Sequence, residues 1–164
     1  MRQKGASDSK RAQQFGKLSR MISAQVKVAK GDRNAVLVRQ AIEKARSADM
    51  PLDTIERAIS KATEQKDLET IAYEAYGPGG AGLIIEALTE NRNKAAQEIR
   101  HILSKNGFAL AGIGSVMWAF QKIENELTPT MTVPLSEADT SILMKLVEEL
   151  EANEEVQEVI TNAE

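Results

Sequence analysis

The chain has no cysteine among its 164 residues, so disulfides and thiolate metal sites are excluded. That absence fits a reducing compartment. Aromatic residues are scarce, at 4%, and His101 is the only histidine. No apolar run approaches the roughly 20 residues of a membrane helix. The start, Met1-Arg2-Gln3-Lys4-Gly5, lacks the hydrophobic core of a secretory signal. A cytosolic protein without a membrane partner is the expectation. The length allows one ordinary domain or two small ones.

What is present is charge, sorted by position. Residues 1–66 carry 15 Lys and Arg against 7 Asp and Glu, a net of +8. Residues 67–164 carry 6 against 17, a net of −11. The overall charge of −3 hides this division. A split of this kind points to two modules, one of which meets a polyanion. The boundary is placed in the polar stretch 63–70, giving a basic domain over 1–66 and an acidic one over 67–164.

Apolar periodicity predicts three amphipathic helices in the basic module. Phe15, Leu18, Ile22, Val26 and Ala29 recur at spacings of three and four within residues 9–30. Asn34 is a candidate cap for a second helix, with Leu37, Ala41, Ile42 and Ala45 facing inward. Asp53 or Thr54 opens a third, with Ile55, Ala58, Ile59 and Ala62 on one side. None would be stable alone, and together they can bury their stripes as a small bundle.

The acidic module changes period. Strands are predicted over 71–76, 83–88, 115–120, 127–135 and 156–161. Helices are expected after Asn91 or Asn93 and after Ser136, the second carrying Ile142, Leu143, Leu146, Val147 and Leu150. Asn106-Gly107 supplies a left-handed stop for the first of these. The order ββαββαβ predicts an α+β sandwich, with helices on one face of an antiparallel sheet. The acidic run from Glu148 to Glu155 reads as the solvated side of the last helix and its exit loop.

Candidate chemistry is thin. Gly77-Pro78-Gly79-Gly80-Ala81-Gly82 fits G-x-G-x-x-G, but a dinucleotide site needs that loop to open a helix. Leu83-Ile84-Ile85 favours a strand, so a hairpin turn is the better reading. Gly112-Ile113-Gly114-Ser115 is likewise a loop. His101 lacks the partners that a general base or a metal site requires; Glu98 and Lys105 give it local helix pairing. No enzyme activity, cofactor or metal is therefore expected.

The basic helix is the sharpest feature. Lys4, Lys10, Arg11, Lys17, Arg20, Lys27 and Lys30, joined by Arg39 of the next helix, form a candidate nucleic-acid-binding stripe. Phosphates recur along a nucleic-acid backbone, so a row of cations neutralises several and releases counterions. Such contacts give affinity without sequence specificity. Few aromatics are near to stack unpaired bases, and no recognition helix rich in Asn, Gln and Arg stands out.

Several stretches carry a family resemblance: Ser9-Lys10-Arg11, Phe15-Gly16-Lys17-Leu18, Ala41-Ile42-Glu43-Lys44-Ala45 and the run from Met50 to Ile59. The most specific are Tyr73-Glu74-Ala75-Tyr76-Gly77-Pro78-Gly79-Gly80 and Thr89-Glu90-Asn91-Arg92-Asn93-Lys94. Arg100-His101, Ser104-Lys105-Asn106-Gly107, Gly114-Ser115-Val116, Pro134-Leu135 and the ending Asn162-Ala163-Glu164 complete it. On these residues the chain resembles the YebC/PmpR family, which includes the mitochondrial translational activator of cytochrome c oxidase. The resemblance implies a cytoplasmic or organellar regulator of gene expression. Its members are described both as DNA-binding transcriptional regulators and as ribosome-associated factors that relieve stalled translation. Ribosomal RNA or duplex DNA is then the expected partner, and an acidic protein partner for the basic half is a further alternative. Tyr76, Gly77, Asn91, Arg92 and Asn93 form a second candidate edge. Two departures are expected: the family's short basic leader is missing, and so is its inserted third domain, near 121–126.

Overall fold

The computed structural model describes the backbone of residues 2–62 and 67–164, and side chains from Lys10 onward within those ranges. The boundary expected at 63–70 lies partly outside them. The chain divides into two compact units, residues 1–68 and 69–164. Among the described residues no helix is long and apolar enough to cross a membrane.

The first unit is three helices: α1 (Arg2–Val28), α2 (Val36–Ser47) and α3 (Leu52–Lys61). At 1.5 Å per residue α1 is about 40 Å long. Its stripe of Leu18, Ile22 and Val26 buries against Val38, Ala41 and Ala45 of α2 and Ile55 and Ala58 of α3. Ser23 sits within this core and donates to the Ala58 carbonyl at 2.7 Å, so its hydroxyl is satisfied where water cannot reach. Helix α1 stops at Val28, short of Lys30, because Lys30 (φ 56°) and Gly31 (φ 88°) are left-handed and Gly31 N–H returns to the Val26 carbonyl at 2.9 Å.

Three details of the first unit differ from the expectation: the cap of α2, its inward face and the start of α3. Asn34 does not cap α2; Ala35 holds that position without a side-chain bond. The Asp32 carboxylate instead accepts the Asn34 N–H at 2.9 Å, closing an Asx turn. Val38 rather than Leu37 faces inward, since it shares a face with Ala41 and Ala45. Helix α3 begins at Leu52 behind Pro51, which leaves Asp53 in the first turn, where a negative charge suits the dipole.

The second unit is α+β. It runs β1 (Glu69–Tyr76), β2 (Gly82–Thr89), α4 (Arg92–Lys105), β3 (Phe120–Ile123), β4 (Glu126–Pro129), α5 (Glu137–Glu151) and β5 (Val156–Thr161). Strands β1, β2 and β5 form one antiparallel sheet with β2 central. Helices α4 and α5 cover one face: Ile99, Leu103, Leu146 and Leu150 bury against Leu83, Ile85 and Ala87. The Gly77–Gly82 run is a turn joining β1 to β2, closed by Gly77 N–H to the Ala81 carbonyl at 2.7 Å.

The expected single sheet is corrected in two places. Residues 115–119 are not a strand; they form a loop and a short 3-10 turn, Met117–Ala119. The N–H groups of Gly114, Val116 and Met117 go to the Glu74 carboxylate instead of a neighbouring strand. The stretch 127–135 is broken as well. Its first part pairs with β3 as a separate hairpin. Val133 bridges Ala163 beyond β5. The odd-numbered apolar pattern thus serves two different neighbours. The β3–β4 hairpin packs Phe120 and Leu127 with Val116 against Ile84 and Ile160, on the sheet face that the helices leave open. Strand β2 is therefore covered on both sides, which explains why Leu83, Ile84 and Ile85 are apolar without alternation. The hairpin turns on Glu124 (φ 49°) and Asn125 (φ 67°), two consecutive left-handed residues of the kind that close two-residue hairpins.

Gly82 lets the loop before β3 sit on β2. A Cβ there would lie 2.6 Å from Val116 Cγ1. Gly82→Ala should cost about 1–3 kcal/mol by overpacking, read from urea unfolding. Gly112→Ala meets only the Ser115 hydroxyl at 3.5 Å and should stay within about 0.5 kcal/mol of the parent.

Candidate nucleic-acid interface

The cations of the first unit follow from its helical geometry. Burying Leu18, Ile22 and Val26 turns Arg20 and Lys27 to the far side of α1. Lys10, Arg11, Lys30 and Arg39 are exposed, and Lys17, Arg20 and Lys27 are half-buried along their stems. Lys4 lies on α1, but its side chain is outside the described residues. Arg11 departs from the stripe. It sits one turn before Phe15, with its guanidinium 5.4 Å from that ring's centroid, a cation–π contact on the apolar side. Lys27 is paired with Asp67 at 3.0 Å. Lys30 has left the helix for the turn, so it extends the surface around the α1 C-terminus rather than the stripe.

Arg39 and Arg46 stand seven residues apart on one exposed flank of α2. No ion pair engages Lys30, Arg39, Lys44 or Arg46 among the described residues. Arg33 is different: its guanidinium grips the Glu56 carboxylate at 2.7 and 3.1 Å. The hydrogen bond to Glu56, then its charge, raises the Arg33 pKa. This pair ties the α1–α2 turn to α3. The sequence reading missed Arg33, whose partner is 23 positions away.

The second candidate edge separates into local jobs. Asn91 caps α4, accepting the N–H groups of Asn93 and Lys94 at 3.0 and 3.2 Å. Arg92 pairs with Glu69 at 3.2 Å, and Lys94 with Glu155 at 3.4 Å. Tyr73 donates to the Arg92 carbonyl at 3.3 Å; burial raises its pKa, which keeps the hydroxyl a donor. Gly77 is buried beside Leu83 and Leu143. Glu69 and Tyr76 are the two ends of β1, about 23 Å apart at the rise of a strand. Tyr76 and the Asn91–Asn93 turn are therefore not brought together.

His101 is exposed on α4, and its expected local pairs are redirected. Lys105 reaches Glu149 of α5 at 3.0 Å, and its ammonium is the main cause of that carboxylate's lowered pKa. Glu98 accepts from Asn153 at 3.3 Å. Glu155, assigned to a solvated run, is buried. It is drawn in toward Lys94.

The strongest electrostatic feature was not foreseen. Glu74 is buried under the loop 110–117. One carboxylate oxygen accepts the Gly114 N–H at 2.7 Å; the other accepts Val116 at 2.9 Å and Met117 at 2.7 Å. The loop so fixed presents the Ser115 carbonyl to two side chains. Tyr76 Oη donates to it at 2.6 Å and Trp118 Nε1 at 2.8 Å. Burial alone would raise the Glu74 pKa, but the three N–H donors outweigh it and the pKa is lowered. An acid between two tyrosines in a strand, followed 40 residues later by a glycine-rich loop, was the available signal.

Comparison with known proteins assigns these two units to one family. The TACO1/YebC protein N-terminal domain matches residues 1–65, and the TACO1/YebC second and third domain matches residues 68–124. A probable transcriptional regulatory protein of Petrotoga mobilis is 43% identical over 98% of this chain and 66% of its own length. One of Fervidobacterium nodosum is 52% identical over 73% of this chain and 49% of its own. The chain thus spans from about half to about two thirds of the length of these curated relatives. The crystal structure of a conserved hypothetical protein from Aquifex aeolicus superposes with a TM-score of 0.81 at 26% identity, covering 96% of this chain and 91% of that one.

The Glu74 site makes a pH prediction. Its folded pKa lies below the ordinary carboxylate value of 4.5, so the stabilisation is complete above that value and is lost as pH falls through the folded pKa. Glu74→Gln offers one carbonyl oxygen to three donors. It should cost about 1–3 kcal/mol at neutral pH and flatten the fall in stability below pH 4.5, both measured by denaturant unfolding across pH 2.5–7.

Proposed function

The chain belongs to the TACO1/YebC family, and we propose that it is a non-catalytic, nucleic-acid-binding regulator of gene expression that acts on the translation machinery through ribosomal RNA. The observation that carries this reading is the set of exposed cations on a packed three-helix unit, in which residues 1–66 have a net charge of +8. Lys10 on α1, Lys30 in the turn after it and Arg39 on α2 are exposed around a packed core, so a phosphate chain can be met without refolding. Backbone neutralisation supplies affinity and little sequence choice, which suits a large folded RNA. The second unit, rich in carboxylates, has the wrong sign for that contact and is assigned to protein partners.

A second reading, binding to promoter duplex, is favoured by the name probable transcriptional regulatory protein that the bacterial relatives carry. Both targets are phosphate polymers, and the basic unit serves either.

Co-sedimentation with ribosomes, run beside duplex DNA retention over a salt series, separates the two. Ribosome association with weak duplex binding is the expected result; salt-sensitive duplex binding without ribosome association favours the second reading. Combined Lys10→Glu, Lys30→Glu and Arg39→Glu should weaken binding to all sequences about equally. On duplex DNA it should reduce the slope of log affinity against log salt by about 0.9 for each phosphate that is no longer neutralised. Unchanged binding would show that these cations are only a solvated surface.

A further inference from the structure

The second unit carries an exposed, pre-ordered apolar patch that the nucleic-acid reading does not use. Ile113 is fully exposed, Trp118 is 63% exposed and Tyr76 is 45% exposed. Isolated exposed apolar residues need no explanation, but Ile113 and Trp118 lie in and just after the loop that Glu74 holds, and Tyr76, at the end of β1, shares one hydrogen-bond acceptor with Trp118. Tyr76 Oη and Trp118 Nε1 both donate to the Ser115 carbonyl, so the partly exposed rings have their polar ends already satisfied. The loop itself is held by the charged Glu74 carboxylate and seated on Gly82. Large rings fixed in this way lose little conformational entropy when covered, which is the economy of an interaction hot spot.

Charge decides what covers them. Residues 67–164 have a net charge of −11. A polyanion would be repelled here, since single-strand platforms pair their aromatics with a positive groove. A guanidinium stacks on the face of Trp or Tyr and gains further where the surrounding field is negative.

We propose that Tyr76, Ile113 and Trp118 form a docking site for a cationic protein segment, with an arginine side chain stacked on the exposed rings and Ile113 beside it. The basic unit then holds nucleic acid while the acidic unit engages a basic protein.

Trp118 is the only tryptophan, so its fluorescence reports the site directly in the full chain. The probe is a twelve-residue peptide alternating arginine and glycine, with its glutamate–glycine counterpart as control. The arginine peptide should shift or quench Trp118 emission saturably and lose affinity as salt rises; the glutamate peptide should do neither. Ile113→Ser and Tyr76→Ala together should weaken arginine-peptide binding about tenfold, the scale of a hot-spot loss, while Ile113→Ser alone leaves unfolding unchanged because the side chain buries nothing. No change in Trp118 emission would overturn the proposal. Binding indifferent to both substitutions would overturn it too, as diffuse attraction to an acidic surface. A tighter response to single-stranded polyuridylate would make the patch a base platform. Emission that changes with protein concentration alone, with dimers on sedimentation, would make it a self-association surface. Either result would overturn the proposal as well.

Discussion

A carboxylate taken out of water must find hydrogen-bond donors, and the donors it finds are then no longer available to anything else. Glu74 meets this constraint with three backbone N–H groups from one loop, and much of the second unit follows. Residues with the composition to extend the sheet are diverted into a loop and a short turn. That diversion brings Val116, Ala119 and Phe120 over Ile84 and sends the chain into the β3–β4 hairpin. Strand β2 acquires a second buried face, and the two rings of Tyr76 and Trp118 are left partly exposed. A charge in the interior thus directs apolar packing around it, which fits the view that buried polar networks define one arrangement when every member is satisfied.

The first unit is organised differently. Its core is made of small and branched residues, with no aromatic deeper than the half-buried Phe15. Short side chains bring the helices close, and the long cationic side chains are pushed to the rim. Acids are then used selectively. Glu56 neutralises Arg33 to fasten a turn, and Asp67 meets Lys27, while Lys30, Arg39, Lys44 and Arg46 keep their charge for solvent or a ligand. The net positive charge of this unit understates how unevenly its cations are employed.

Much of this was legible in the sequence because local rules decide it. The 3.6-residue period of α1 and the caps at Asn91 and Ser136 are local signals, and the structure agrees with them. So is the stop at Gly107 (φ 86°). The α+β class and the order of elements in the second unit also followed from period and turn chemistry. The failures share a cause. Glu74 and its loop, Arg33 and Glu56, and Lys94 and Glu155 are partners far apart in the chain, so no local pattern announces them. The strand expected at 115–120 had suitable residues, but its N–H groups were already committed to a distant acid. Tyr76 and Trp118 were visible as aromatics, yet only the shared acceptor at Ser115 shows that their polar ends are already satisfied.

The two left-handed residues at the tip of the β3–β4 hairpin have a consequence for how such a fold changes size. Glu124 and Asn125 join strand ends that adjacent pairing holds about 5 Å apart. A loop grafted at that point adds only slowly growing closure entropy, and a whole domain whose own termini lie close together could be spliced there. Nothing in the three-stranded sheet, in the α4–α5 layer or around Glu74 would have to be retuned. A longer connection at that tip would leave the framework beneath it in its present register.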